Sequence, residues 1–274
     1  MLKKINRVGI PLEQYVKGKI CWGIKTGLNE AFVINQKIKE ELIAKNPKNL
    51  EIIKPFLTGR DIGRYSINSK QIYLIFTYHG VDIEKYPEIK EYLKPFKEKL
   101  ENRATRQKWY ELQQPQFAFK NYFESPKIII PSIVKSASST FDDTNFFTNN
   151  KTSIISSGDF YLLGILNSKI SDFVIHSISS TKQGGYYEYH IMYISKIPIR
   201  TINPNDPSDI SRHDRMVALV TQMLDLNKKL QEARLEQDKT MLSRQIEATD
   251  NQINTLVYEM YGLTVEEIMI VEGK

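Results

Sequence analysis

The sequence is poor in the residues on which most small catalytic and metal sites are built. Its one cysteine, Cys21, excludes an internal disulfide and any cysteine-based zinc site. The histidines, His79, His176, His190 and His213, are scattered without metal-ligand spacing. No glycine-rich dinucleotide loop and no Gly-x-x-x-x-Gly-Lys-Ser/Thr follows a predicted strand. An Asn/Asp-Pro-Pro-Tyr/Phe tetrapeptide, expected where an amino group on a base is methylated, is also missing. Asn46-Pro47-Lys48 and Asn203-Pro204-Asn205 lack the second proline and the aromatic. A metal-dependent nuclease needs acids clustered near a lysine. Glu88-Ile89-Lys90 has a Glu-x-Lys spacing but falls on a predicted helix, where such matches arise by chance. Asp142-Asp143 is a loop pair with no lysine at a useful spacing. No catalytic, cofactor or metal site is therefore assigned to this chain. Long apolar runs are absent too, so no segment reaches the length of a membrane-spanning helix. The opening MLKKINRVGIPLEQY has no continuous apolar core and is not a signal peptide. A cytoplasmic protein with no membrane partner is the expectation.

What is present is a chain of 274 residues, 41% hydrophobic, long enough for one large core or two smaller ones. Its net charge of +6 is compatible with a polyanionic partner without demonstrating one. Tyrosine leads the aromatics with 15 copies, and its flat apolar body with a polar tip suits a wet surface that must be gripped.

Strand candidates and short helices alternate through the first two hundred residues. Ile20 to Ile24 and Ala31 to Ile34 read as a hairpin around the Lys25-Thr26-Gly27-Leu28-Asn29-Glu30 turn. That turn either closes the hairpin or presents Lys25 and Thr26 to a phosphate. A short helix covers residues 36 to 46. Gly59-Arg60-Asp61 and Gly63-Arg64-Tyr65 then set two arginines on accessible turns. Each guanidinium could fork onto phosphate or guanine, or pair with Asp61 and brace the loop. Ile72 to Phe76 reads as a strand. Pro87 opens a helix whose face carries Ile89, Leu93, Phe96 and Leu100, with Pro95 as a kink. Arg103, Arg106 and Lys108 precede Trp109-Tyr110, a grouping that either holds a sugar-phosphate backbone or anchors the core.

The stretch from Phe117 to Arg200 organises the rest. Lys127 to Pro131 is a short apolar strand leading into polar, aromatic-rich loops. Phe160 to Leu166 is a strand or a helix start, and Lys169 to Ile178 a helix. A Lys-Gln-Gly-Gly turn packed with tyrosines follows, and Ile191 to Ile199 closes the region with alternation. Asn203 to Asp209 is a polar linker. Beyond it, Met216, Leu219, Met223, Leu226 and Leu230 step by 3, 4, 3 and 4. Leu242, Ile246, Thr249, Ile253, Leu256 and Met260 step by 4, 3, 4, 3 and 4. These are heptad-like seams on two long helices. The polar stretch Glu232 to Lys239 either turns or continues one rod; a turn makes an antiparallel hairpin. The fold class expected is α+β. Residues 1–202 form a mixed α/β domain with a curved sheet. Residues 203–274 form a linker and helical hairpin, a coiled-coil-like spacer or docking arm.

Several stretches together resemble the TaqI-like C-terminal specificity domain of type IIG restriction-modification enzymes and related adenine-specific DNA methyltransferases. They are Gly23-Ile-Lys-Thr-Gly-Leu-Asn-Glu-Ala-Phe-Val-Ile34, Lys54-Pro-Phe-Leu-Thr-Gly-Arg-Asp-Ile62, Trp109-Tyr-Glu-Leu112, Pro126-Lys-Ile-Ile-Ile-Pro131 and Leu163-Gly-Ile-Leu-Asn-Ser168. The resemblance spans roughly residues 15 to 200. It implies a target recognition domain that binds double-stranded DNA and selects its sequence. Catalysis then belongs to a methyltransferase portion, often fused to a nuclease. That portion uses S-adenosylmethionine, with Mg2+ where it also cleaves, and flips the target adenine. This chain is expected to be non-catalytic, as a fragment or a separate specificity subunit. On that reading Lys25, Arg60, Arg64, Lys135, Ser136, Ser138, Lys182 and Gln183 contact phosphates or base edges. Tyr186, Tyr187 and Tyr189 pack on sugars or brace the loop, and Gly184 lets the backbone approach DNA. An assembly subunit acting through the helical tail is the alternative.

Overall fold

The structure is a computed structural model and describes residues 1–274. Its central strand, Lys127–Pro131, is buried along its whole length. The run Ile128-Ile129-Ile130 has no polar alternation because both faces of its sheet are covered. Ile128 and Ile130 face one core and Ile129 faces away into a small cluster with Leu57 and Ile62. The sheet is antiparallel, in the order Thr140–Asp142, Lys127–Pro131, Thr152–Ile155, Ile20–Trp22. A second sheet runs Phe147–Thr148, Ile53–Leu57, Ile72–Ile75, Val33–Asn35, parallel only at its first pair. A third joins Thr181–Lys182, Tyr186–Glu188 and Ile133–Val134. The strands are thus divided among several small sheets, with a mixed α/β fold and a long helical pair behind it.

The hairpin expected between Ile20 and Ile34 does not form. Ile20–Trp22 pairs with Thr152–Ile155, and Val33–Asn35 pairs with Ile72–Ile75. Asn29–Phe32 is a helical turn instead, with Ala31 and Phe32 fully buried. Each strand finds a long-range partner, and Cys21 of the one and Ile34 of the other are buried in the same core. Phe160–Leu166 is a helix, capped by the Asp159 carboxylate, which accepts from the Leu162 N–H at 3.0 Å. The alternating segment Ile191 to Ile199 splits into the helical turn Ile191–Ile194 and the strand Pro198–Arg200. That strand pairs with Gly9–Pro11 and ties the start of the chain to the end of its α/β part.

The helix at Pro87 ends at Leu93, and a tight turn over Lys94–Phe96 carries Pro95 before the helix resumes at Lys97. Proline lacks the N–H that a continuous helix would use there.

The two long helices are Pro207–Glu232 and Glu236–Met260, joined by Ala233-Arg234-Leu235 into an antiparallel pair. Asp206 caps the first through the Ser208 N–H. Gly262, at φ +63°, follows the end of the second. The predicted seam is buried at Met216, Leu219, Met223, Leu226, Leu242, Thr249, Ile253, Leu256 and Met260. Val220 and Val257 join it, because the pair packs against Phe160–Leu166 as well as against itself. At Gly164 the absence of a side chain lets the first long helix come close: a Cβ there would meet the Met216 sulfur at 2.4 Å. Most of the seam therefore belongs to a core of 31 residues that also holds Ile5, Ile128, Leu163 and Ile175, so the pair is built into the fold. A second core of 22 residues lies under the first half of the chain.

Charge pairs lock these parts together. Asp209 accepts from both Arg200 guanidinium nitrogens, at 2.7 and 3.0 Å, and from the Asn203 N–H. The Arg200 hydrogen bond lowers the Asp209 pKa from 3.8 to about 2. A carboxylate with a depressed folded pKa contributes fully above its unfolded value and loses that contribution as pH falls toward the folded one. Thermal melts between pH 5 and pH 2 should therefore show stability dropping below about pH 4. The Asp209→Asn variant should be less stable at neutral pH and show a shallower drop. An equal slope in both proteins would remove Asp209 as the cause.

Candidate nucleic-acid interface

The chain leaves its first sheet at Ser132 and enters the third one residue later. The Ser132 N–H donates to the Lys151 carbonyl at 2.9 Å, and its own carbonyl accepts from the Tyr189 N–H at 2.8 Å. This crossing forms the floor of a cleft of about 1040 Å³. One wall is the turn Thr58-Gly59-Arg60. Another is the Asn149–Lys151 turn, and the third is the hairpin carrying Lys182, Gln183 and Tyr186. Its lining includes three cations, Arg60, Lys151 and Lys182, and no carboxylate.

Asn149 joins two of these walls. Its side-chain oxygen accepts from the Gly59 N–H and the Lys151 N–H, each at 3.2 Å, while its own N–H donates to the Leu57 carbonyl at 3.0 Å. Arg60 and Lys151 are thus held side by side through backbone. Asp61 closes the Arg60 turn: its carboxylate accepts from the Thr58 N–H and hydroxyl, both at 2.7 Å. It is buried beneath the turn with Lys70 as its ion partner at 3.7 Å. The Arg60 side chain is left exposed.

The third wall is a two-stranded ribbon. Lys182 pairs with Tyr186, and Gln183-Gly184-Gly185 turns between them. Gly184 and Gly185 have φ of +80° and +75°, a conformation side chains rarely adopt. Strand alternation sends Tyr186 and Tyr187 to opposite faces. Tyr186 lines the cleft, 40% exposed, with the Lys135 ammonium 5.4 Å from its ring centre. Tyr187 stacks on His176 at 3.6 Å, and the Tyr189 hydroxyl donates to Asp172 at 2.5 Å. Both brace the hairpin from behind. Lys182 forms an ion pair with Glu188 at 2.8 Å. Their hydrogen bond raises the lysine pKa and lowers that of the glutamate.

Other residues singled out in the sequence lie elsewhere. Arg64 points inward: it pairs with Asp250 of the second long helix and donates to the Asn167 carbonyl at 2.6 Å. It follows that Arg64 braces the molecule and does not face the cleft. Burial raises the Asp250 pKa against the opposing pull of Arg64. Arg103 is likewise spent on carbonyls, those of Leu100 at 2.8 Å, Trp109 at 3.0 Å and Thr26 at 3.1 Å. The Thr26 hydroxyl is buried and donates to Asn29 at 2.6 Å. The turn at Lys25 to Glu30 is therefore a braced corner. Lys25 is half-buried, and its backbone exchanges hydrogen bonds with Gln114. It adjoins the Asn149 turn through Ile24, whose carbonyl accepts from the Asn150 N–H at 2.8 Å. Arg106 and Lys108 are exposed, with the Lys108 ammonium 5.7 Å from the Tyr110 ring centre; neither lines the cleft. Ser136 and Ser138 follow Lys135, and the Ser138 hydroxyl donates to the Ser136 carbonyl at 2.9 Å.

Of the cleft residues, the sequence pattern singles out Arg60, Lys182, Gln183 and Tyr186 as contacts and does not single out Thr58, Asn149, Lys151 or the floor around Ser132. The NNK run at 149–151 carries a turn signature but nothing that places it beside Arg60. Asp142 also gains a partner. It pairs at 2.5 Å with Lys127, which lies opposite it across the sheet; both side chains are fully buried. Lys127 donates to the Phe123 carbonyl at 2.7 Å as well, and burial lowers its pKa.

Two sets of variants test this assignment. Arg64→Ala should lower the unfolding free energy by about 2 kcal/mol, through loss of a partly buried charged contact. Arg60→Ala should stay within about 0.5 kcal/mol of the parent. Urea titrations check both, and equal losses would contradict the sorting of the two arginines. At Gly23 a Cβ would sit 2.0 Å from the Asn149 carbonyl oxygen, a backbone atom with nowhere to go. Gly23→Ala should cost about 3 kcal/mol by overpacking, and a near-neutral result in the same titration would refute the close approach.

Residues 54–199, just over half of the chain, match the TaqI-like C-terminal specificity domain. The type II methyltransferase M.MjaIV of Methanocaldococcus jannaschii is 25% identical over 189 residues, 61% of this chain and 56% of that protein. The chain thus spans about half the length of that relative. The solved structure of the type IIL restriction-modification enzyme MmeI in complex with DNA superposes with a TM-score of 0.64 at 14% identity. It covers 93% of this chain and 35% of MmeI, a likeness of fold. With the matched segment carrying the Arg60 turn, the central strand, the Asn149 turn and the ribbon, this chain belongs to the TaqI-like C-terminal specificity domain family.

Proposed function

We propose that this chain is the duplex-DNA recognition module of a restriction-modification system and selects the sequence on which a methyltransferase or nuclease portion acts. The observation that carries this reading is the cleft. Arg60, Lys151 and Lys182 converge from segments far apart in sequence onto a surface lined by no carboxylate. Such a surface suits a phosphate backbone, since cations set register while neutral groups between them are free to read base edges. Lys135 and Tyr186 extend it with a cation and a half-exposed ring. Gln183 stands at the tip of a narrow two-stranded ribbon, an element the DNA major groove admits.

Residues 1–202 supply this surface, and residues 203–274 fasten to its back through the shared core and the Arg64–Asp250 pair. Catalysis lies outside the chain. S-adenosylmethionine serves the methyltransferase portion, with adenine N6 as its target, and Mg2+ serves any cleavage. The reading of the helical tail as an assembly arm is weaker, because most of its apolar seam is buried in the chain's own core, although Leu235, Met241, Met269 and Ile270 remain exposed.

Fluorescence anisotropy with a mixed-sequence duplex, across a salt series, tests the surface. Arg60→Ala and Lys151→Ala should each weaken binding and flatten the dependence of log K on log salt by roughly 0.9, the release expected for one phosphate contact. Arg106→Ala, away from the cleft, should leave the slope unchanged. Parent-like slopes in both cleft variants would exclude this face as the DNA contact.

A further inference from the structure

We propose that Glu188 sets specificity by acting through Lys182: in the free protein its carboxylate holds the lysine ammonium and so suppresses binding to arbitrary DNA. This rests on the reading of the cleft as the DNA-facing surface. The two side chains sit 2.8 Å apart on opposite strands of the ribbon, the glutamate mostly shielded and the lysine about half exposed. Strand alternation puts Glu188 on the same face as Tyr186, and Lys182 lies opposite Tyr186. Glu188 itself lies opposite Ile133, another cleft residue. The carboxylate therefore stands at the foot of the face that carries Lys182 into the cleft. It is the one acid of the ribbon and of the strand beside it.

The ribbon does not need this ion pair for its shape. Its register is set by the Thr181–Tyr187 and Lys182–Tyr186 pairings, by Val134 on the neighbouring strand, and by the Tyr187–His176 stack. What the pair changes is the charge presented to DNA. To reach a phosphate, Lys182 must leave one anion for another, and the vacated carboxylate then faces the polyanion. On an arbitrary sequence that exchange returns little. A matched site repays it through contacts that the wrong sequence cannot make. Discrimination is a difference between affinities, and a repulsive element that lowers binding everywhere except at the matched site enlarges it.

The test uses the full chain and a mixed-sequence duplex, with anisotropy read across a salt series. Glu188→Gln should bind about tenfold more tightly at low salt, with a slope steeper by roughly one, as expected for one added phosphate contact. The double variant Glu188→Gln, Lys182→Gln should fall back to the level of Lys182→Gln alone, the non-additivity expected if one residue acts through the other. Thermal melts should match the parent. The proposal is overturned if Glu188→Gln leaves affinity and slope unchanged, if it weakens binding, or if its gain survives in the double variant. If Arg60→Ala and Lys151→Ala weaken binding while Glu188→Gln does nothing, only this role fails. If no duplex is bound, or the two cleft variants are silent, the DNA-facing reading fails and takes the proposal with it.

Discussion

The geometry depends on one backbone crossing. At Ser132 a single segment passes from one sheet to another, held on one side by the Lys151 carbonyl and on the other by the Tyr189 N–H. Backbone groups buried at such a point must all be paired, so the crossing admits little adjustment. It places the Asn149–Lys151 turn and the ribbon on two sides of one floor. The third side arrives through Asn149, which caps Gly59 and Lys151 with the same oxygen. The cleft is therefore a product of hydrogen-bond closure, and its cations are carried on turns fixed at both ends.

A buried ion pair holds the other end of the same strand. Lys127 and Asp142 have no access to solvent, and the aspartate also accepts from the Thr144 and Phe146 N–H groups. Removing one member of such a pair strands the other charge, so it constrains what the sheet can become even where it adds little net stability. Here it fixes the loop that runs to the Asn149 turn. The Arg64–Asp250 pair does the same at the back of the molecule, beside Asn254, whose oxygen accepts from the Lys169 N–H at 2.9 Å.

Charge alone could not sort the basic residues. Arg60 and Arg64 sit in near-identical Gly-Arg contexts, yet one reaches solvent and the other a partly buried carboxylate far along the chain. The difference arises at Tyr65. Its φ of +57° and buried ring turn the second segment inward, where the Tyr65 N–H donates to the Ser139 carbonyl. Arg103 presents the same lesson: its guanidinium is consumed by carbonyls of a corner that reads as an open turn. Lys182 and Gln183 were recognisable because two adjacent glycines mark a tight turn wherever they fall. Asn149 and Lys151 were not, because their importance comes from neighbours supplied by residues 57 to 59.

Local signals determined much of this protein. The heptad spacing specified two long helices, Pro95 the break after Leu93, and the unbroken isoleucines a short apolar strand. Each is a short-range effect of backbone geometry or apolar period, complete within a few residues. The first long helix, however, starts at Pro207, inside the stretch that reads as a linker. Only the tertiary structure decided which strands pair, which arginine is free and which turns share a cleft. Those outcomes rest on contacts between segments distant in the chain, and the choice among them is made by burial and hydrogen-bond satisfaction across the whole molecule.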